Sequence, residues 1–485
     1  VGKFFCGLDF GTTNSSVAIS DGEKAWVLPL DPENDAPTSL PSLLYMTRDG
    51  EQIVGRGAAN AFINRNVGRE VLLEQVSLGV AIEGYVGSEP DKSESYRPAL
   101  FDQPMVSEGV HAKATVEVNS PGRLFQSLKS LLRLRGFRGT EVFGQTYQIE
   151  ELTAMILSRI KAAVDEAAGE PVTSVVMGRP VRFSKDPDED AVAERRLRVA
   201  AGLAGFENVV FFYEPVAACV EYAVTKDVQQ RLMVVDIGGG TCDVCVMEFG
   251  GTRGAMERLS SSRILGIGGV PVAGDAIDRE IIRAKLFPRF GSKSRYGPSK
   301  LPVPQYLFNN ILDWQNIYKL NTEDTINWLI AMEMSSTDPE AVRSLRRLIQ
   351  RNYGYPLTRE VEAAKKRLSS DMETNIEIHE EKINITEHLE RHELSDIIEH
   401  TLDLMMSSIE EAEQAAGVQP GDIDCVLTTG GTSLIPALRH MLDERYGAER
   451  LLQRDTFTSV ATGLAIVAQY VGPQETDDAE TTEEN

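Results

Sequence analysis

The sequence has 485 residues, 42% hydrophobic and 25% charged, and Asp plus Glu outnumber Lys plus Arg by 73 to 49 for a formal charge of -24. That length calls for two or more domains, each with a sizeable core. The acidic excess repels nucleic-acid phosphates and anionic membrane, and no basic patch offsets it, so neither is expected as a partner. No apolar run approaches the roughly 18 residues that span a membrane, and no signal peptide opens the chain, so a cytoplasmic location is expected.

In chain order, Phe4–Ile19 reads as an apolar strand, Asp9, a turn over Gly11, Thr12, Thr13 and Asn14, and a second apolar strand. Leu124–Leu132, taken alone, fits an amphipathic helix with Lys129 on its wet face. The basic cluster around it, Arg123–Arg138, is short and reads better as part of a site than as a nucleic-acid patch. Ile149–Ala168 predicts a long helix stopped by Gly169, and Val172–Met177 a strand. In Val209–Ala218 a strand runs into Glu214-Pro215, and proline in a first turn marks a helix start. Leu232–Val246 then repeats the opening plan, with Asp236, a turn over Gly238, Gly239, Gly240 and Thr241, and a second strand.

Cys242 and Cys245 form C-x-x-C in letters only, because strand alternation sends them to opposite faces. Most of the five cysteines lie in apolar or small-residue runs, which suits buried reduced thiols. Further on, Glu362, Lys365, Lys366 and Ser369 share one helical stripe, opposite Val361, Ala364 and Leu368. Gly430, Gly431, Thr432 and Ser433 follow an apolar run as a turn. The stretches 58–122 and 287–357 are rich in turns and polar residues and carry no motif. Residues 474–485 are acidic, lack large apolar side chains and are expected to be disordered.

The repeat is the most informative feature. Aligned on Asp9 and Asp236, the glycine at +2 and the β-branched positions that follow fall in register. Either loop alone is a plain hairpin turn as readily as a site. Glycine lets backbone N–H groups approach an anion, and threonine hydroxyls add donors. An Asp ending a buried strand repels phosphate but can hold a hydrated Mg²⁺ that binds it. Two facing copies would clamp one triphosphate.

These segments resemble the two phosphate loops of the actin-like ATPase superfamily, and specifically of DnaK-type heat-shock chaperones. Val209–Ala218, Glu362–Ser370 and Val426–Ser433 resemble further family motifs in the expected order. The overall plan is most similar to the YegD-like branch, which lacks the peptide-binding domain. The resemblance implies an α/β, two-lobed actin-like ATPase fold of duplicated ribonuclease-H-like domains, with a central nucleotide cleft and inserted outer subdomains. Lobe I would take residues 1–225, with an insertion at about 38–148. Lobe II would take 226–455, with an insertion at about 267–397, and a final helix at 456–473 would return to lobe I.

The resemblance also implies ATP or ADP with Mg²⁺, with K⁺ open as a further cation. Asp9 and Asp236 would hold Mg²⁺ through water, and Gly11–Asn14 and Gly238–Thr241 would cradle phosphate. Lys129, with Arg133 as its competitor, would reach the transferred phosphoryl group, and Glu214 would assist the attacking water. Glu362, Lys365, Lys366 and Ser369 would contact adenosine, together with Gly430, Gly431, Thr432 and Ser433.

The sequence departs from the family in three places. Leu434 stands where the family has an adenine-stacking Arg, which puts base affinity in doubt. Pro180 matches the family's switch proline, but 183–190 offers no Arg to partner it. No peptide-holding β-sandwich is expected after Gly472-Pro473. The expected function is slow ATP hydrolysis with nucleotide-dependent lobe closure. The alternatives are a non-hydrolysing nucleotide-dependent binding module and a small-molecule kinase, for which no Asp base beside a substrate pocket is evident. A protein partner is left open.

Overall fold

A computed structural model of the chain describes residues 4–83, 109–224, 230–249, 262–381, 383–453 and 458–471. The expected lobe boundaries at 225/226 and 455/456, and the acidic segment 474–485, lie outside the described residues. Two mixed sheets organise the fold. The first takes β1 (Phe5–Phe10), β2 (Asn14–Ser20), β3 (Ala25–Val27), β4 (Ser174–Arg179) and β5 (Asn208–Tyr213) in the order β3-β2-β1-β4-β5, with the short strand Leu40–Pro41 also on β2. The second takes β6 (Gln230–Ile237), β7 (Cys242–Phe249), β8 (Arg263–Val270), β9 (Cys425–Thr429) and β10 (Leu451–Gln453) in the order β8-β7-β6-β9-β10.

The two orders are the same when each sheet is numbered from its own hairpin. The correspondence reaches single rungs. Asp9 faces Ser16 and Phe10 faces Ser15 across the first hairpin. Asp236 faces Asp243 and Ile237 faces Cys242 across the second. In each sheet the next neighbour of the Asp-bearing strand is parallel, with Gly7 beside Val176 and Val234 beside Leu427. The repeat seen in the letters is thus a repeat of topology and register.

The main helices are α1 (Arg56–Asn66), α2 (Ile149–Ala168), α3 (Pro187–Leu203), α4 (Glu214–Val224), α5 (Gly274–Ile281), α6 (Gly354–Arg367), α7 (Glu399–Ala416) and α8 (Ser459–Ala468). Helix α2 has the expected bounds, with Gly169 as a left-handed C-cap at φ 71°. Helix α8 packs on β1 and against α4. A β-carbon on Gly7 would lie 2.1 Å from the Ala465 nitrogen, so only glycine permits that approach. The second sheet repeats the device, where a β-carbon on Gly268 would lie 2.0 Å from the Ser408 carbonyl oxygen of α7. All five cysteines are buried thiols outside any disulfide, and Cys242 and Cys245 enter different apolar clusters, as alternation requires. Among the described residues no helix is long and apolar enough to cross a membrane.

Two local readings change. Leu124–Leu132 is not one helix: Gly122–Gln126 forms a strand against Leu43–Thr47, and only Leu128–Leu131 makes a helical turn. Leu124 and Phe125 gain more by completing that sheet than by an isolated helix, which is marginal at such length. The stretch 287–357 is mainly helical, with helices at Gln305–Ile311, Glu323–Ser335 and Pro339–Gln350. Its apolar positions Val342, Leu345, Leu348 and Ile349 are buried at helical spacing.

Helix α1 meets the segment from Trp314 to Tyr355. Phe62 of α1 lies 5.4 Å from both Trp314 and Tyr355, whose rings are 4.9 Å apart, in edge-to-face geometry. Gly68 N–H donates to the Arg351 carbonyl at 2.8 Å, and Asn352 Nδ2 donates to the Asn66 carbonyl at 3.5 Å. The apolar cluster is continuous from Tyr45 and Phe62 into Ile317, Leu357 and Val361. Truncating Phe62→Ala is expected to cost about 3–5 kcal/mol, read as a lower urea midpoint.

Candidate functional site

The two hairpin turns face each other. A β-carbon on Gly239 would lie 2.0 Å from Thr13 Oγ1, and one on Gly240 would lie 3.1 Å from Thr12 Oγ1. Each turn is braced from behind. Ser42 N–H donates to the Thr13 carbonyl at 2.8 Å, and its hydroxyl donates to the Gly11 carbonyl at 2.9 Å. Asp275 N–H, in the first turn of α5, donates to the Gly239 carbonyl at 2.8 Å, and the Thr432 hydroxyl donates to the Gly238 carbonyl at 2.7 Å.

Behind the turns lie the charged groups. Ser127, at a positive φ of 58°, turns the chain out of its strand and leads Lys129 inward. Lys129 Nζ donates to Glu214 Oε1 at 2.7 Å, and both side chains are 8% exposed. This excludes the wet helix face as the lysine's place, while Arg133 stays half-exposed. Glu214 is the first residue of α4, and its Cγ would lie only 2.9 Å from a β-carbon on Gly178.

Burial, with the Glu214 charge adding and Lys129 partly offsetting, pushes the Asp9 carboxyl up to about 7. Burial and the neighbouring carboxylates raise Asp236 well above the ordinary range. Asp243 rises to about 7 through burial and Glu214, although the Thr241 hydroxyl, Lys129 and the Val181 N–H, at 2.9 Å from its Oδ1, all favour its anion. Burial opposes the charge of Lys129, yet Glu214 and Asp9 hold its amine above the usual lysine value. Four carboxylates thus surround one ammonium, a donor set short of positive charge. Oxygen donors short of positive charge suit a hard divalent cation, and among the described residues no three such side chains converge for direct ligation.

The remaining expected residues divide. Lys365 turns inward, donating to Asp278 Oδ2 at 2.8 Å and to the Gly274 carbonyl at 3.0 Å behind the second turn. Burial raises Asp278 to about 6 against the pull of Lys365. Glu362 instead pairs with Arg359 and the exposed Lys366, each at 2.7 Å. Ser369 lies past the end of α6 at Arg367, in a turn, so the expected four-residue helical stripe is one residue too long. Gly430 has φ 80° and a β-carbon there would lie 2.2 Å from the Ile237 carbonyl oxygen. Thr432 and Ser433 are buried, whereas Gly431 and Leu434 are exposed. The basic cluster also splits: Lys129 joins the carboxylates, while Arg135 and Arg138 line an outer groove of about 700 Å³ with Arg195.

Two residues were not singled out in the sequence. Asp243 is 2% exposed and pairs across the hairpin with Asp236, and an Asp inside the apolar run Cys242–Val246 was its signal. Arg179 precedes Pro180 and pairs with Asp190 and Glu194. Residues 183–190 contain no Arg, and Arg182, two residues past the proline, pairs with Glu411 at 2.7 Å, whereas Arg179 on the other side of the proline contacts the helix of Asp190 and Glu194.

The family model described as Hsp70 protein matches residues 136–287 and 341–481. The chain belongs to the Hsp70 family. Its shared sheet order and rung-for-rung hairpins are those of the actin-like ATPase fold that this family carries. Among relatives, a chaperone protein DnaK of Thermus thermophilus is 26% identical over 473 residues, covering 95% of this chain and 60% of the relative. The chaperone protein dnaK3 of Thermosynechococcus vestitus is 24% identical over 468 residues, covering 95% of this chain and 54% of the relative. The chain therefore spans 60% or less of these curated relatives. In this Hsp70-family chain, Lys129→Met strands Glu214 without its cation and is expected to cost about 3–5 kcal/mol. Adding Glu214→Gln should recover part of that loss in chemical denaturation.

Proposed function

We propose that this Hsp70-family chain binds ATP or ADP with Mg²⁺ between its two halves and hydrolyses ATP slowly, with nucleotide-dependent closure. The observation that carries the reading is the pair of facing, in-register turns backed by four carboxylates and one buried lysine. In this reading residues 1–225 form one lobe and 226–455 the other, with 456–473 returning to the first; the packing of α8 on β1 supports it.

The amides and hydroxyls of Gly11–Asn14 and Gly238–Thr241 bind phosphate oxygens from both sides. Asp9 and Asp236 hold the hydration shell of Mg²⁺, which when bound offsets phosphate charge. Lys129 supplies a fixed cation to the transferred phosphoryl group, and Glu214 orients a water and accepts its proton. Lys365, Glu362, Lys366, Ser369 and Gly430–Ser433 hold the nucleoside, with Leu434 giving an apolar rather than a cationic edge. K⁺ is a further candidate cation. A cytoplasmic location and a protein partner belong to the same reading.

Titration calorimetry should record saturable ATP and ADP binding that requires Mg²⁺, and no heat with either nucleotide would sink the proposal. Glu214→Gln and Lys129→Ala should each slow phosphate release by about 10²-fold or more while nucleotide still binds. Unchanged turnover in both variants would move the activity to another site, and binding without turnover in the wild type would favour a non-hydrolysing module.

A further inference from the structure

We infer that Arg179 is a positioning residue that sets Glu214 and Asp243, one carboxylate from each half of the chain. The inference rests on the nucleotide-hydrolysis reading above for its functional meaning, and on contacts alone for its geometry.

Strand β4 ends at Arg179, which sits directly across from Tyr213 on β5, the residue before Glu214. The preceding Gly178 is pressed against Glu214, leaving no room for a β-carbon. Two residues after Arg179, the Val181 N–H donates to Asp243 Oδ1. The four residues from Gly178 to Val181 therefore touch both carboxylates, and any shift of this segment moves both. Within that segment, Arg179 alone carries a charge that can tie it to its surroundings. Its guanidinium donates to Asp190 Oδ2 at 2.7 Å and pairs with Glu194, both on α3.

The guanidinium also lies 5.3 Å from the Phe183 ring and 5.4 Å from the Tyr213 ring, and Nε donates to the Pro180 carbonyl at 3.2 Å. Asp190 accepts the Phe183 N–H at 2.6 Å as well, closing the loop after β4 onto the same helix. Two carboxylates, two aromatic faces and a backbone acceptor around one planar cation form a set that lysine cannot reproduce. With 13% of its side chain exposed, Arg179 is held in one place. The carboxylates of α3 thereby fix the end of β4, and the end of β4 fixes the reaction geometry.

The test uses the full chain carrying Arg179→Lys, with Glu194→Gln as a milder second variant that leaves the arginine in place. A misplacement of about 1 Å is worth up to about 10²-fold in rate, so Arg179→Lys should lower kcat by about 10-fold or more. KM for ATP should stay within about twofold, since the groups that grip the nucleotide are untouched. Glu194→Gln should shift kcat in the same direction by a smaller factor.

In a Glu214→Gln background, Arg179→Lys should have a clearly smaller further effect, limited to what acts through Asp243. An equal loss in both backgrounds, or wild-type kcat in a folded Arg179→Lys chain, overturns the proposal. A crystal structure of Arg179→Lys gives a readout free of turnover. It should have Glu214 out of hydrogen-bonding reach of Lys129, or Val181 out of reach of Asp243, and both contacts intact would overturn the proposal. Absence of Mg²⁺-dependent turnover in the wild type would instead defeat the hydrolysis reading and leave the crystallographic arm to decide the positioning role.

Discussion

Lys129 carries a positive charge into a space bounded by Asp9, Asp236, Asp243 and Glu214, and much of the architecture serves to hold those five groups there. One ammonium cannot neutralise four carboxylates, so burial raises three of them toward protonation instead. A protein keeps such an arrangement only if rigid elements prevent the anions from moving apart. Here they sit on the ends of central strands and at the first residue of a helix, positions with little conformational freedom. The site is therefore short of positive charge before any ligand arrives, and protons make up part of the shortfall.

The duplicated sheet supplies that rigidity twice over. Each half offers the same strand order and the same hairpin, so placing the halves face to face sets two equivalent turns opposite each other. The copies then diverge in what they bring. The first contributes the Lys129–Glu214 pair from an insertion and a helix start, and the second contributes Asp243 where the first has Ser16. Glycines pressed against α7 and α8 keep a helix tight on each sheet, so the strand ends inherit their positions from a packed core.

Much of this was legible in the sequence because it is local. The strand–Asp–turn–strand plan needs only neighbouring residues, and the hairpins around Asp9 and Asp236 form where it places them. Helix α2 was equally clear from its period and its Gly169 stop. What escaped depends on contacts between distant segments. Lys129 was pointed at phosphate by the resemblance alone, because its own segment fits a wet helical face and the strand that removes Leu124 and Phe125 from any helix lies far earlier in the chain, at Leu43–Thr47. Lys365 and Lys366 are adjacent and similar in letters, yet one is buried against Asp278 and the other is exposed with Glu362. Helical phase separates them, and only the position of α5 decides which one turns inward. Arg179 was hidden because its partners are on another element.

The aromatic junction of Phe62, Trp314 and Tyr355 has a thermodynamic corollary. These rings join α1 to a segment far later in the chain within one apolar cluster. Moving the halves apart would hydrate those faces, and hydrating apolar surface raises heat capacity. Any motion that separated these rings would thus have no single enthalpy: its van 't Hoff plot would be curved, and its heat would change with temperature.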